Sequence, residues 1–150
     1  MSYKPLLIYL ADDDPEDSML FEEALTEIDS KICIETFDNG VTLMDALLNS
    51  QNALPDAIYL DLNMPLMNGE ECVEDIRNEP KFSQIPIVIY STYIDRAVAE
   101  RLREKGANWY LIKPNTFREL RNLLGKSLDC VYTNLQKEAD SHFIISATSR

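Results

Sequence analysis

Hydrophobic residues along this chain follow two alternating patterns, one typical of β-strands and one typical of α-helices. Nearly unbroken apolar runs at 5–11, 57–60, 86–90 and 109–112 are typical of strands that are covered on both faces. The segment 31–37 alternates and is rich in β-branched residues, which also favours a strand. The pattern therefore predicts five strands.

A helix period of 3.6 residues follows each predicted strand. Phe21, Ala24, Leu25 and Ile28 recur at i, i+3, i+4 and i+7, so the first predicted helix has one buried face. Shorter patterns predict helices around 44–48, from 69 to before Pro80, from 94 to Gly106, and from 117 to 128 or beyond, through Val131 and Leu135. Asp14 is suited to cap the first helix and Pro15 to its first turn.

Five strands alternating with five helices predict a parallel α/β sheet with helices on both faces. Sites in such open sheets form beyond the carboxyl ends of the strands, where the strand order reverses. The polar residues at those ends are Asp12, Asp13, Asp14, Asp61, Asn63, Ser91, Thr92 and Lys113. We therefore expect the chemistry of this protein at one edge of the sheet.

Charge and composition narrow the classes of partner. Asp and Glu number 26 against 14 Lys and Arg, giving a net charge of −12, which disfavours nucleic acid and favours a protein, metal-ion or small-molecule partner. No apolar stretch approaches the roughly 20 residues of a membrane span. Three cysteines without CxxC spacing predict reduced core thiols in a cytoplasmic protein. The one histidine, His142, argues against a His-based metal site or a Ser-His hydrolase.

The acids at the strand ends have both plain and functional interpretations. Asp12 to Asp17 is compatible with a solvated helix N-terminus, Asp61 with a turn, and Lys113 with a surface cation. A calcium loop is excluded, because Pro15 interrupts it and Asp17 stands where glycine is needed. Carboxylates gathered at one edge, however, require a cation or a raised pKa. Mg²⁺ takes oxygen ligands such as carboxylates. A carboxylate can carry a phosphoryl group covalently, and Mg²⁺ together with one lysine can neutralise the charge of that group.

Four short motifs then occur in order at four strand ends. They are Asp12-Asp13 followed by Asp14-Pro15, LDLNMPLMNG around Asp61, Ser91 with Tyr110 on the next strand, and Lys113-Pro114. The set resembles the receiver domain of two-component response regulators of the single-domain, chemotaxis type. The resemblance implies a flavodoxin-like sheet with strand order 2-1-3-4-5. It places a receiver domain at 1–128 and an extension of the last helix and tail at 129–150, where HFIIS (142–146) is apolar enough to dock.

The resemblance implies a phosphorylation site and a metal site. Asp61 is the expected phosphoryl acceptor. Asp13 and Asp61 are expected to ligate Mg²⁺ directly, with the main-chain carbonyl of Asn63 as a third ligand and Asp12 acting through water.

The same resemblance implies how phosphorylation is detected. Lys113 is expected to pair with phosphoryl oxygens and the Ser91 hydroxyl to bond to one of them, while Tyr110 changes rotamer as Ser91 moves. Thr92 stands where the family usually has a small residue. We expect its β-branched side chain to restrict access of water to the phosphoryl group on Asp61 and to lengthen its lifetime.

The expected function is a signalling switch that catalyses only its own phosphoryl transfer and dephosphorylation. The donor would be a histidine kinase or a phosphotransfer protein. Output would pass to another protein through the face formed by helix 4, strand 5 and helix 5, which is also a candidate homodimer face; no DNA-binding domain, nucleic acid or membrane is expected.

Other functions use a similar pattern. A haloacid-dehalogenase-type phosphatase also uses a strand-end Asp, but it needs a second Asp where this chain has Asn63. A phosphorylation-independent scaffold is disfavoured by the intact Asp13, Asp61, Ser91 and Lys113. A flavodoxin-type carrier lacks its phosphate loop here, and three acids after the first strand would repel flavin phosphate.

Overall fold

Six strands and five α-helices alternate along the part of the chain that the structure describes. In this computed structural model the described residues are 5–133 and 143–146. The elements are β1 (Leu7–Ala11), α1 (Pro15–Ile28), β2 (Cys33–Phe37), α2 (Gly40–Leu48), β3 (Ala57–Leu60), α3 (Gly69–Arg77), β4 (Ile87–Ser91), α4 (Arg96–Lys105), β5 (Trp109–Ile112), α5 (Phe117–Thr133) and β6 (Ile144–Ile145), with a 3₁₀ turn at Pro80–Phe82.

The strands form one parallel sheet in the order β2-β1-β3-β4-β5-β6. The predicted order 2-1-3-4-5 is therefore confirmed, and β6 is an addition beside β5. The order reverses at β1, which has β2 on one side and β3 on the other. The carboxyl ends of β1 and β3 thus flank the place where doubly wound sheets bind ligands.

Helices cover both faces of the sheet. Side chains of α1 and α5 form one buried cluster with the sheet, and those of α2, α3 and α4 form the other. The alternation of side chains along a strand supplies both clusters: Ile8 and Leu10 of β1 face α1 and α5, while Tyr9 and Ala11 face the opposite layer. This two-sided burial explains why the central strands read as unbroken apolar runs.

The start of α1 is fixed by residues of the acidic run. The Asp14 side chain accepts hydrogen bonds from the main-chain N–H groups of Glu16 (2.9 Å) and Asp17 (3.3 Å). Pro15 is the first helical residue, where its missing N–H removes no helical bond. Asp14 therefore has the capping role that the sequence predicted, and the helix begins one turn after β1.

The end of the described chain returns to the sheet. Residues 143–146 lie along β5, where the Tyr110 N–H donates to the Phe143 carbonyl (2.8 Å) and Leu111 pairs with Ile145. Lys126 Nζ donates to the Ser146 carbonyl (3.2 Å). Residues 143–146 of this apolar segment thus dock on the sheet and include a sixth strand, which was not predicted. α5 runs to Thr133; Leu135 and His142 lie outside the described residues.

One expectation about the cysteines is wrong. Cys72 is buried and Cys130 is half-buried, but Cys33 is exposed. The residues next to Cys33 in the chain are apolar, which suggested a core position. Cys33 begins β2, however, and because β2 is the outermost strand on its side of the sheet, the Cys33 side chain faces solvent. Within 5–133 and 143–146, no helix has the length and apolar content to cross a bilayer.

Candidate functional site

Three carboxylates converge at the reversal point of the sheet. Asp12 and Asp13 follow β1 and Asp61 follows β3, and the main-chain N–H of Asp61 donates to the Ala11 carbonyl (2.9 Å), which holds the two strand ends together. One carboxylate oxygen from each of the three residues lies within 4.8 Å of the others. The structure therefore brings together the three acids that the sequence predicted.

Burial differs sharply among the three acids. Asp12 is 2% exposed and Asp61 7% exposed, whereas Asp13 is exposed. Burial, with the negative charge of Asp12 as a smaller cause, raises the pKa of Asp61 to about 6, although Lys113 and the main-chain N–H of Asn63 oppose the rise. Ionised Asp61 is thus held in a cluster that favours a further cation.

Lys113 is the cation of the described site. It follows β5, and its main-chain N–H donates to the Ser91 carbonyl (2.7 Å), which places the side chain across the strand ends. Its Nζ lies 2.8 Å from Asp12 Oδ2, 2.9 Å from Asp17 Oδ2 and 3.9 Å from Asp61 Oδ2. Burial lowers the pKa of Lys113, but the hydrogen bonds with the first two carboxylates outweigh burial and raise it.

The predicted switch residues Ser91 and Tyr110 belong to β4 and β5, the next two strands after β3, which precedes Asp61. Ser91 is 2% exposed at the end of β4 and lines a cavity of about 220 Å³, together with Asn63 and Tyr110. The Tyr110 ring is buried, and its hydroxyl donates to the Tyr93 carbonyl (2.7 Å). Tyr110 is therefore internal and bonded to the segment after Ser91, in the neighbourhood that a coupled movement would require.

Two predicted site residues face solvent. Asn63 and Thr92 are both exposed, each just beyond a strand end. The main-chain N–H of Asn63 lowers the pKa of Asp61 and so opposes the effect of burial. The predicted role of its carbonyl in metal binding, and the predicted effect of Thr92 on access, stay predictions.

Two features of the site were not predicted from the sequence. The first is the contact of Asp17 with Lys113, because Asp17 was interpreted only as part of the helix start. The second is Gly69, where an added Cβ would overlap the main-chain carbonyl oxygen of Asp61. No local pattern indicated the contact of Asp17, because its partner lies 96 residues away in the chain.

The donor set fits a hard divalent cation. Asp12, Asp13 and Asp61 offer only oxygen ligands, and Lys113 compensates one of their three negative charges. Carboxylates at this spacing with an exposed member allow a cation to bind two or three of them and keep its remaining ligands as water, as Mg²⁺ prefers. Zinc, by contrast, usually takes His or Cys ligands, and the cluster has neither.

Known proteins resemble this chain in sequence and in fold. Residues 8–125 match the family described as response regulator receiver domain. Response regulator Rcp1 of Synechocystis sp. is 31% identical over 126 residues, covering 79% of this chain and 84% of Rcp1. The crystal structure of the phosphorylated cyanobacterial phytochrome response regulator RcpA superposes with a TM-score of 0.80 at 25% identity, covering 87% of this chain and 96% of RcpA.

Relatives of very different length share this similarity. The Mn(2+)-bound form of Rcp1 has the same fold, with a TM-score of 0.76 at 24% identity, and covers 87% of this chain and 96% of Rcp1. Hybrid signal transduction histidine kinase D of Dictyostelium discoideum is 28% identical over 117 residues; this covers 78% of the chain but only 7% of the kinase. The similarity to this kinase thus concerns only a small part of it.

Proposed function

The chain belongs to the response regulator receiver domain family, and from this premise we propose that it accepts a phosphoryl group on Asp61 from a phosphohistidine of a partner protein. The observation that carries the proposal is the convergence of Asp12, Asp13 and Asp61 beside Lys113 at the reversal point of the sheet. Phosphoryl transfer depends chiefly on positioning and charge neutralisation, which this arrangement supplies.

In the proposed reaction, a carboxylate oxygen of Asp61 forms a bond to phosphorus. The bond between phosphorus and the histidine nitrogen breaks, its electron pair returns to the imidazole ring, and an acyl phosphate is left on Asp61. The Asn63 N–H favours the ionised form of the Asp61 carboxylate, and the neighbouring cation Lys113 disperses the charge of the arriving oxygens. Hydrolysis of the acyl phosphate by water would reset the protein.

We propose Mg²⁺ as the resident cation, held by Asp13 and Asp61 directly, by Asp12 through water, and by the carbonyl of Asn63. When bound, it supplies positive charge that neutralises the carboxylates and the phosphoryl oxygens. The fit of the three acids supports a divalent ion at this place, and the manganese-bound form of Rcp1 shows that a similar protein binds a divalent ion. Mg²⁺ in particular is our inference from the preference of hard oxygen ligands.

Phosphorylation would be read by Lys113, Ser91 and Tyr110. Ser91 ends β4, which pairs with the strand before Asp61, and we propose that its hydroxyl bonds a phosphoryl oxygen. The Tyr110 hydroxyl donates to the carbonyl of Tyr93, in the segment after Ser91. Shifting a two-state equilibrium from mostly one state to mostly the other takes about 5.5 kcal/mol. The new bonds to phosphate are our candidates for that free energy.

The proposed partners are a histidine kinase or phosphotransfer protein and a downstream protein that binds the face of α4, β5 and α5, with a homodimer at that face as a further option. Because β6 pairs with the outer edge of β5, such a partner would contact α4, α5 and β6 there and not a free β5 edge. The match to a hybrid signal transduction histidine kinase supports kinase-linked signalling. We propose that the chain catalyses only its own phosphoryl transfer and hydrolysis. The unpaired thiols, including exposed Cys33, support a reducing compartment such as the cytoplasm.

Incubation with Mg²⁺ and phosphoramidate, followed by intact mass measurement, tests the proposal. We expect the wild type to gain the mass of one phosphoryl group and the Asp61→Asn variant to gain none. Asp45→Asn, an equal change at an exposed acid of α2, serves as the matched control and should be labelled like the wild type. Equal labelling of Asp61→Asn would contradict the assignment. No labelling of the wild type would favour a scaffold, and steady phosphate release from unrelated esters would favour a phosphatase.

A further inference from the structure

Lys113 has a partner that the family resemblance does not assign. Its Nζ is within hydrogen-bond distance of Asp12 Oδ2 (2.8 Å) and Asp17 Oδ2 (2.9 Å), but it is 3.9 Å from Asp61 Oδ2. The ammonium group has three donors, and two of them are directed to carboxylates other than the proposed phosphoryl acceptor. Lys113 therefore forms a longer ion pair with Asp61, while its hydrogen bonds go to Asp12 and Asp17.

The fold fixes Asp17 in this position. Asp17 is the third residue of α1, and its main-chain N–H is bonded to the Asp14 side chain. α1 packs on the same face of the sheet as α5, whose start follows Lys113 closely in the chain. The Asp17 side chain therefore reaches Lys113 from the helix side, and Asp61 lies on the sheet side.

The two carboxylates that bind Lys113 differ in the free-energy cost of losing their contact with it. The side chain of Asp12 is 0% exposed, and it also accepts a bond from the Asp14 N–H (3.0 Å). Loss of Lys113 would leave a buried negative charge, which is strongly unfavourable. The Asp17 side chain is 33% exposed, so water can replace Lys113 there. Lys113 thus has one fixed partner and one exchangeable partner.

We propose that Asp17 is a positioning residue that holds Lys113 back from Asp61 and releases it when phosphoryl oxygens arrive. The proposal rests on the proposed function. In the exchange, Lys113 keeps its bond to Asp12 and replaces the bond to Asp17 with one to a phosphoryl oxygen, while Asp17 becomes hydrated. Breaking the bond to Asp17 opposes phosphoryl binding, so Asp17 sets the balance toward the unphosphorylated state.

Titration calorimetry with beryllofluoride, a phosphoryl mimic, at saturating Mg²⁺ tests this exchange. Asp17→Asn should bind beryllofluoride about threefold to tenfold more tightly than the wild type, because a charged hydrogen bond no longer has to be broken. Glu16→Gln makes the same charge change at the preceding residue, an exposed acid, and should stay within about twofold of the wild type. Magnesium affinity is measured first for each variant, so that saturation is assured.

Two further variants separate release of Lys113 from a structural role. Asp17→Ser removes the carboxylate in a second way and should also bind more tightly. Asp17→Glu restores a carboxylate and should return the affinity toward the wild type. Weaker or unchanged binding in the two neutral variants, or an equal gain in Glu16→Gln, would overturn the proposal. Absence of beryllofluoride binding by the wild type itself would instead refute the proposed function.

Discussion

At the scale of single residues, the site is governed by the unequal burial of like charges. Asp61 is nearly buried beside Asp12, whereas Asp13 is exposed to water. The same chemical group thus has three different surroundings within a few ångströms. The consequence is that Asp61 binds protons more firmly than an ordinary aspartate does, and any cation at the site has to compete with a proton.

This competition predicts the pH dependence of metal binding. The pKa of Asp61 is raised from 3.8 to about 6. Between pH 3.8 and about pH 6, the Asp61 carboxyl therefore holds a proton in the metal-free folded protein but not in the unfolded chain. The stability from this group is therefore present below pH 3.8 and is lost as the pH rises through about 6. Magnesium affinity should change in the opposite direction, falling by up to about tenfold per pH unit below pH 6.

Titration calorimetry with Mg²⁺ at pH 5 and pH 7 checks this expectation. The Asp61→Asn variant is the control, since it should bind Mg²⁺ more weakly and lose most of the pH dependence. Equal affinity of the wild type at the two pH values would contradict the raised pKa. The stability of metal-free Asp61→Asn should also vary less with pH between 4 and 7 than that of the wild type.

At the scale of elements, the loop between β3 and α3 is shaped by close approach of its own backbone. The Gly69 N–H donates to the Leu62 carbonyl (3.0 Å), and this turns the start of α3 back onto the residues next to Asp61. Leu66, at the tip of the loop, has a φ of 68° and a side chain that is 79% exposed. The loop thus combines a strained tip with a base that has no room for a side chain.

Gly69→Ala should therefore damage both stability and the site. The added Cβ would overlap the Asp61 carbonyl oxygen, a main-chain atom that cannot move without moving the acceptor. We expect a loss of about 1–3 kcal/mol in the free energy of unfolding, typical of overpacking, and slower phosphorylation by phosphoramidate. Urea unfolding and intact mass measurement would show these changes.

Gly125→Ala is the matched control for this substitution. Gly125 lies in α5, where an added Cβ meets nothing within 4 Å. Alanine is favoured over glycine inside a helix, so this variant should be slightly more stable than the wild type. A Gly69→Ala variant as stable as Gly125→Ala would mean that the loop can shift away from Asp61 without cost.

A feature could be predicted from the sequence when it depends on residues near one another in the chain, and not when it depends on contacts between distant residues. Hydrophobic period, turn residues and strand-end acids are local patterns, so the order of elements and the grouping of Asp12, Asp13, Asp61 and Lys113 were accessible. The contact between Asp17 and Lys113 joins residues 96 positions apart through a partner choice that no local pattern encodes. The exposure of Cys33 depends likewise on its strand lying at the sheet edge.

At the scale of the whole molecule, the tail segment is part of the core. Phe143 is buried, and its ring packs against that of Tyr110 with the centroids 6.4 Å apart. Its carbonyl accepts the Tyr110 N–H, so the proposed switch residue is tied to the segment that follows α5. Phe143 and Ile144 thus contribute to the same hydrophobic layer as α2, α3 and α4.

Phe143→Ala should consequently destabilise the protein although it lies outside residues 8–125 that match the family. Truncation of a buried phenylalanine costs about 3–5 kcal/mol, and the low end is expected here because the segment lies at the edge of the sheet. Urea unfolding measures the loss. Leu66→Ala, which truncates an exposed apolar side chain, should change stability by less than about 0.5 kcal/mol. An equal effect of the two substitutions would show that β6 does not contribute to folding.

The presence of β6 has a consequence for recognition by peptides that bind as an extra strand. Such ligands need a row of unpaired main-chain groups, and β5 no longer offers one because β6 occupies its outer side. β6 itself has only two residues, too few for a register of useful length. A ligand that binds as an extra strand would therefore either have to displace β6 from β5 or pair with β2 (Cys33–Phe37), the strand at the other edge of the sheet.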